Sequence, residues 1–260
     1  MNSGFEKLKV FLDKKVDQYD QPSFIPYDPI CIPHLFKKKQ DIEIAAFFAA
    51  IFAWGNRTTI IRKSTELMQM MDMAPHEFML NHQEKDLRRL LDFKHRTFNA
   101  TDLLYFIDFF KHHYTANKTL ESAFTRGMKK NDRDTENALT GFRHYFFSLD
   151  EVPARTKKHI ATPETHSTCK RLNMFLRWMV RTDKHGVDFG IWKNIRPSQL
   201  VCPVDVHVAR VAKKLNLLNQ KPVDWLAAIE LTEQLRRFDE ADPVKYDFAL
   251  FGLGVVEKYG

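Results

Sequence analysis

An aspartate at the mouth of a predicted helix, Asp205, is the residue in this chain whose position most directly suggests chemistry. It lies in the segment CPVDVHVARVAKKLNLL, residues 202–218, where Pro203 sets the entry and apolar residues then recur at helical spacing. Aspartate is a good N-cap here, because its side chain accepts hydrogen bonds from N–H groups of the first turn. The positive end of the helix dipole also favours an ionised carboxylate, which in a cleft can act as a base or stabilise a cation. The residues alone leave both interpretations open, a structural cap and an active-site acid.

Signatures of several other chemistries are missing from the sequence. The chain contains no Walker loop, no G-x-G-x-x-G motif and no H-E-x-x-H motif. Its three cysteines, Cys31, Cys169 and Cys202, form no Cys-x-x-Cys pair, which indicates a reduced chain without structural zinc or an iron–sulfur cluster. His112 and His113 are adjacent in a predicted helix and point about 100° apart, so they are poorly placed to chelate one ion. We therefore expect neither a metal nor a cofactor.

Composition and charge narrow the class of protein further. The chain has 260 residues, 44% of them apolar and 22 of them Phe, so it can bury a sizeable core. Lys and Arg number 40 against 33 Asp and Glu, and the net charge of +7 favours a polyanionic partner such as nucleic acid without requiring one. The N-terminus lacks a signal-peptide core, and no apolar run approaches about 18 residues. These features predict a cytoplasmic protein with no membrane partner.

Helical periodicity extends along nearly the whole chain. The segment DIEIAAFFAAIFAW, residues 41–54, is apolar on almost all sides and predicts a buried central helix that ends at Gly55. The helix CKRLNMFLRWMVR, residues 169–181, has an apolar face, and its other side carries Lys170, Arg177 and Arg181. The FGLG stretch near the C-terminus suits close helix packing better than phosphate binding. Further helices are predicted at 4–17, 57–72, 75–81, 84–92, 101–114, 118–128, 133–149, 205–215, 223–237 and 242–258.

This pattern predicts an all-α protein, a two-lobed helical bundle that forms one functional unit. The first lobe spans approximately residues 35–150. A polar, basic loop at 151–168 leads to the second lobe, residues 165–258, on which the N-terminal segment is expected to pack. We expect a monomer.

The segment PVDVHVARVAKKLNLL resembles the part of the helix-hairpin-helix DNA glycosylase superfamily that carries the essential catalytic aspartate. Three other stretches fit the same scheme. DIEIAAFFAAIFAWGNRTTIIRKSTELM resembles the first long apolar helix, CKRLNMFLRWMVR the second helix of the hairpin, and DPVKYDFALFGLGVV the closing helix beside the Asp helix. The likeness is strongest over residues 165–258. The chain as a whole also resembles a bacterial family catalogued only as a domain of unknown function.

The resemblance implies a site. Asp205 would be the catalytic acid, and Lys170 would align with the lysine that attacks the sugar C1′ in members that also cleave the strand. The alternative for Lys170 is a solvated surface lysine, without a catalytic role, that lies beside the path of the DNA phosphates. The polar turn after the first helix would supply Trp54, Asn56 and Arg57 to the DNA or to the base pocket.

The hairpin departs from the family pattern, since the matching stretch ATPETHSTCKRLNMF has no glycine to let backbone N–H groups approach a phosphate. Ser167, Thr168 and the first N–H groups of the following helix could replace them. Further phosphate-contact candidates are Arg171, Arg177, His207 and Arg210, for which the alternative is a solvated face. Trp178 could stack on an extruded base, although such a tryptophan is more often core.

The expected function is therefore base-excision repair on double-stranded DNA by a glycosylase, either with or without lyase activity. Lys170 and Asp205 are 35 residues apart, a long separation that most resembles the archaeal 8-oxoguanine glycosylases and favours an oxidised purine as substrate. Two alternatives stay open. One is a non-catalytic helical DNA- or RNA-binding protein of the same fold, and the other is a hydrolase of a different small substrate.

Overall fold

The computed structural model describes residues 3–259 and is built almost wholly of helices, which confirms the all-α class. The α-helices of the described residues are α1 (Ser3–Tyr19), α2 (Lys39–Phe52), α3 (Arg57–Met70), α4 (Pro75–Asn81), α5 (Glu84–Arg88), α6 (Ala100–Ala116), α7 (Glu121–Thr125), α8 (Glu136–Phe146), α9 (Lys170–Val180), α10 (Val206–Lys214), α11 (Trp225–Arg236) and α12 (Tyr246–Phe251). Two short strands, β1 (Lys94–His95) and β2 (Phe98–Asn99), pair antiparallel.

The chain divides into two compact units. One, the Asp205 unit, comprises the residues up to 24, residues 129–136 and the residues from 162 onward. The other, the aromatic unit, comprises residues 25–128 and 137–161. Across residues 3–259, no helix combines the length and the apolar character that a membrane crossing needs.

The aromatic unit is organised around α2, which is buried on nearly every side, as its sequence predicts. Phenylalanines of α2, α6 and α8 pack edge-to-face and tilted against one another, and Phe47 of α2 contacts Phe106, Phe110 and Phe142. One carboxylate, Glu43, lies fully buried in this core. It accepts hydrogen bonds from the Tyr114 hydroxyl at 2.9 Å, from the Leu120 backbone N–H at 2.9 Å and from Thr119, which offset the cost of burying its charge.

In the Asp205 unit, α1 packs along α12 and the residues that follow it. A β-carbon added at Gly252 would lie 2.2 Å from the Tyr19 ring, and one at Gly254 would lie 3.2 Å from the backbone oxygen of His207. Both glycines therefore permit close helix packing, which is the role predicted for the FGLG stretch.

Several helices end earlier than their hydrophobic pattern predicts. The final predicted helix, 242–258, is divided into a 3-10 turn at Pro243–Lys245, then α12, then one π-helical turn at Gly252–Val256. The segment predicted at 118–128 forms α7 over five residues only. The hairpin of β1 and β2 was not predicted, because strands of two residues are too short to show an alternating pattern.

A buried histidine in the aromatic unit makes stability depend on pH. His113 is 1% exposed, and its ring nitrogens hydrogen-bond the Thr119 carbonyl at 3.0 Å and the Tyr145 hydroxyl at 3.2 Å. Burial lowers the pKa of His113 to about 4, although the bond to the Thr119 carbonyl opposes this. In the unfolded chain this histidine has a pKa near 6.5 and is protonated below that pH, whereas in the folded protein it stays neutral until about pH 4.

We expect the free energy of unfolding to fall by up to about 3 kcal/mol as the pH drops from about 6.5 to about 4. His113→Gln should flatten this part of the profile, which urea unfolding at a series of pH values measures. The matched control is His185→Gln at an exposed loop position. An equally steep profile in both variants would contradict the assignment to His113.

Candidate active site

Asp205 is the N-cap of α10, as the sequence predicts. Its Oδ1 accepts hydrogen bonds from the backbone N–H groups of His207, at 2.9 Å, and Val208, at 3.0 Å. The backbone of Asp205 is extended (φ −117°, ψ −173°), which is typical of a cap residue. One carboxylate oxygen is therefore fixed by the helix, and the other, Oδ2, is available for a second interaction.

Lys170 supplies that interaction. It is the first residue of α9, and its Nζ lies 3.7 Å from Asp205 Oδ2. The two side chains are 26% and 25% exposed, so both reach solvent while most of each is covered. A separation of 3.7 Å is an ion-pair distance and longer than a direct hydrogen bond. The structure thus places a lysine amine and a fixed carboxylate side by side in one partly open position.

The loop before α9 takes glycine-like conformations without containing glycine. His166 (φ +57°) and Cys169 (φ +51°) both adopt the left-handed region that glycine enters most easily. Ser167 Oγ accepts the Cys169 N–H at 3.1 Å, and Asn173 Nδ2 donates to the Thr168 carbonyl at 3.0 Å. Side-chain hydrogen bonds therefore hold a backbone turn that contains two left-handed residues and no glycine.

Arg177, which lies on the same helix as Lys170, is buried and does not lie on a solvated face. It is 4% exposed, its Nε lies 3.3 Å from Asp188 Oδ1, its Nη1 donates to Asp247, and its guanidinium lies 4.3 Å from the Phe248 ring centroid. The prediction of Arg177 as a phosphate contact is corrected accordingly, because carboxylates inside the protein already take its donors. Helical spacing did not reveal this, since the polar side of α9 faces other charged groups of the same unit.

Arg181, one turn further along α9, is bound in the same way. Its guanidinium donates to Asp20, Asp188 and Asp242 at 3.0, 3.0 and 2.8 Å. Burial alone would lower the pKa of Arg181, but the surrounding carboxylates raise it, so the charge is held firmly. We call these residues the arginine–aspartate network: Arg177, Arg181, Asp20, Asp188, Asp242 and Asp247.

Asp247 links this network to the candidate site. It is 5% exposed on α12, and burial raises its pKa to about 6, against the lowering effects of Arg177 and Lys170. The charge of Asp205 also raises the pKa of Asp247, so both members of the Lys170–Asp205 pair act electrostatically on it. Asp247 is a site residue that no sequence motif marked; the available signal was its place inside the apolar closing helix YDFALF.

The other predicted contacts of the Asp205 unit fall into two groups. His207 and Arg210 lie exposed on α10, with Arg210 Nη2 bonded to the Gly254 carbonyl at 3.1 Å, while Arg171 is partly buried. Trp178 is fully buried in the core, and its Nε1 meets no acceptor among residues 3–259. In this arrangement Trp178 presents no face to a base, which corrects its predicted stacking role.

Trp54, Asn56 and Arg57, the predicted residues of the turn after the first apolar helix, belong to the aromatic unit. Asn56 caps α3, because its Oδ1 accepts the Thr59 N–H at 3.1 Å. Trp54 is partly exposed, and the guanidinium of Arg96 covers its ring at 4.3 Å from the ring centroid. Arg57, the first residue of α3, is partly exposed.

All three cysteines are free thiols. Within the described part of the chain, no three His, Cys, Asp or Glu side chains come together in a way that could hold a metal ion.

The chain belongs to a protein family of unknown function, DUF2400, whose family model matches residues 28–256. The matched range covers all of the aromatic unit except its first three residues, and it includes both Lys170 and Asp205. Neither the curated proteins nor the solved structures give a match to this chain.

Two substitutions at Asp205 separate its cap from its charge. Asparagine caps a helix about as well as aspartate, so Asp205→Asn should change the free energy of unfolding by no more than about 0.5 kcal/mol, whereas Asp205→Ala should cost about 1 kcal/mol. Urea unfolding of both variants measures the difference. Equal losses in the two variants would mean that the hydrogen bonds to His207 and Val208 do not stabilise α10.

Removing one member of the buried Arg177–Asp247 pair should destabilise the protein strongly. Asp247→Leu removes one of the carboxylates that pair with the Arg177 guanidinium in the core, which should lower the free energy of unfolding by about 3 kcal/mol. The double variant Arg177→Met, Asp247→Leu should recover part of that loss, because no charge is left unpaired there. A double variant whose loss is the sum of the two single losses would rule out this coupling.

Proposed function

We propose that the protein is a DNA glycosylase with lyase activity, of the helix-hairpin-helix type, which removes a damaged base from double-stranded DNA. The observation that carries the proposal is the Lys170–Asp205 pair, with Nζ 3.7 Å from Oδ2 and Oδ1 fixed by two backbone N–H groups. A nucleophile beside a rigidly held carboxylate is the arrangement that covalent catalysis at a sugar carbon requires.

The proposed reaction begins with proton transfer. The Lys170 ammonium gives a proton to Asp205 Oδ2, and the neutral amine attacks C1′ of the damaged nucleotide. The Nζ–C1′ bond forms as the C1′–N glycosidic bond breaks, and its electron pair leaves on the base nitrogen, which takes up a proton. Nζ then loses one of its two protons. Its lone pair forms the Nζ=C1′ bond as the C1′–O4′ bond opens and O4′ takes a proton, which gives a Schiff base with one proton on Nζ. Loss of a C2′ proton then forms the C2′–C3′ double bond as the C3′–O bond to the 3′ phosphate breaks, and this elimination cleaves the strand.

The second role of Asp205 is electrostatic. Positive charge develops on the sugar as the base departs, and a fixed carboxylate nearby stabilises it without reorganising. The cap is useful here, because hydrogen bonds from His207 and Val208 hold Oδ1 in place while Oδ2 remains free to act. If Lys170 stays protonated, the same carboxylate would activate water, and the enzyme would release bases without forming an adduct.

Double-stranded DNA as partner is supported by charge and by exposed groups around the pair. The chain carries a net charge of +7, and His207 and Arg210 are exposed on α10, the helix that Asp205 caps. Ser167 and Thr168 lie in the turn before α9, whose first N–H groups receive no side-chain cap bond from Cys169 within the described residues. A phosphate could accept from these N–H groups. An oxidised purine is the proposed substrate, on the resemblance to archaeal 8-oxoguanine glycosylases.

A second candidate function is non-catalytic DNA binding by the same fold. The observation that favours it is the burial of Trp178, which removes the stacking contact that the first candidate would have used for an extruded base. Asp205 would then serve only as the cap of α10.

Borohydride trapping on duplex DNA distinguishes the two candidates. The substrates are duplexes with 8-oxoguanine or with an abasic site, and reduction of a Schiff base fixes the protein to the strand. We expect an adduct with the unaltered protein, none with Lys170→Ala, and a loss of at least about 100-fold in base release with Asp205→Asn. The control is Lys184→Ala, which removes an exposed lysine from a loop of the same unit.

The outcomes are separable. An adduct that persists in Lys170→Ala would mean that another amine reacts. Base release without any adduct would point to water activated by Asp205. Neither adduct nor base release from a panel of lesions, together with unchanged duplex binding by Asp205→Asn, would refute the glycosylase and favour the binding protein.

A further inference from the structure

The aromatic unit contains a second built cluster, the hairpin cluster, formed by Trp54, Gly55, His95 and Arg96. The hairpin of β1 and β2 turns at Arg96, whose backbone is left-handed (φ +56°). This turn places the Arg96 guanidinium over the indole of Trp54, 4.3 Å from its ring centroid. Gly55 is also left-handed (φ +98°), and a β-carbon there would lie 2.2 Å from Arg96 Nη1. The absence of a side chain at Gly55 thus makes room for the guanidinium.

His95 fixes the hairpin cluster to the end of α2. It is 2% exposed, and its Nε2 donates to the Phe52 carbonyl at the end of α2, at 3.1 Å. Its ring also meets the Trp54 indole edge-on, with centroids 6.1 Å apart. Arg96 is therefore an exposed side chain on a rigid support, which lowers the entropy lost when it binds a partner.

The charge around the cluster is positive. Burial lowers the pKa of His95, and the charges of Arg96, Lys63 and Arg62 lower it further. Among residues 3–259, no carboxylate forms an ion pair with Arg96, whereas Arg62 and Lys63 share Glu66. In the same part of the chain, the buried Nε1 of Trp54 meets no acceptor. The cluster thus combines a pre-ordered guanidinium without an anion and a donor without an acceptor.

We propose that the hairpin cluster is a phosphate-binding site, in which Arg96, supported on Trp54, binds a phosphodiester of a nucleic-acid strand. A planar guanidinium with free N–H edges suits phosphate, which it can bind through two parallel hydrogen bonds. The choice of a strand, and not free phosphate, rests on the proposed function, because a DNA enzyme needs backbone contacts that carry no sequence information.

Equilibrium binding of undamaged duplex DNA by the full chain tests this site, with fluorescence anisotropy at several salt concentrations. Arg96→Gln should weaken binding by about 10-fold and reduce the slope of log K against log salt by about 1. The matched control is Arg88→Gln, which removes the same charge from an arginine of the same unit that is paired with Glu84. We expect less than about a 2-fold effect from it.

Gly55→Ala provides a second variant that keeps every charge. Its added methyl group has to displace the Arg96 guanidinium, so binding should weaken about as much as in Arg96→Gln, with folding checked by circular dichroism. Equal affinity of Gly55→Ala and the unaltered protein would show that the position of Arg96 over Trp54 is irrelevant and would overturn the proposal.

The remaining outcomes separate this inference from the proposed function. If the unaltered protein fails to bind duplex DNA at low salt, both are refuted. If it binds, and Arg96→Gln matches Arg88→Gln, only the hairpin cluster is refuted. In a further arm, inorganic phosphate is added at constant ionic strength. Phosphate binding that Arg96→Gln abolishes, together with equal duplex affinity of Arg96→Gln and Arg88→Gln, would assign the site to free phosphate and overturn the proposed contact with a strand.

Discussion

Two buried arginine charges in the Asp205 unit determine which segments can pack around α9. Arg177 and Arg181 extend from α9 into the core, where an unpaired guanidinium would cost several kcal/mol, so carboxylates have to meet them there. Those carboxylates come from the end of α1, from the loop after α9, and from the start and body of the α12 region. The pairing therefore fixes α9 against α1 and α12. Lys170, which begins α9, and Asp247 on α12 owe their positions to this network.

The candidate site contains charges that differ in their exposure to solvent. Arg177 and Asp247 are buried and paired, whereas Lys170 and Asp205 keep about a quarter of their side-chain surface exposed. The two oxygens of Asp205 have different partners, since Oδ1 accepts hydrogen bonds from the first turn of α10 and Oδ2 lies 3.7 Å from Lys170 Nζ. The helix cap thus holds the carboxylate in place and leaves one oxygen for a second interaction, so a structural role of Asp205 does not exclude a chemical one.

Local patterns in the sequence predicted the helices and the Asp205 cap, because helical periodicity and N-cap chemistry involve only neighbouring residues. They did not predict the burial of Arg177 and Arg181, because the polar side of a helix has the same residue pattern whether it faces water or aspartates from distant parts of the chain. Asp20 and Asp242 lie 161 and 61 residues from Arg181 along the chain, and no short-range pattern links them. Asp247 was missed for the same reason, and the two-residue strands of the hairpin gave no period to detect.

The loop before α9 contains two left-handed residues and no glycine. Left-handed φ angles at His166 and Cys169 cost free energy that glycine would not incur, of the order of 1 kcal/mol each. Bonds from Ser167 and Asn173 to the loop backbone offset that cost. Glycine is thus not necessary for the left-handed backbone of this turn, because side-chain hydrogen bonds hold the turn in place. The turn leads directly into the first residue of α9, and that residue is Lys170.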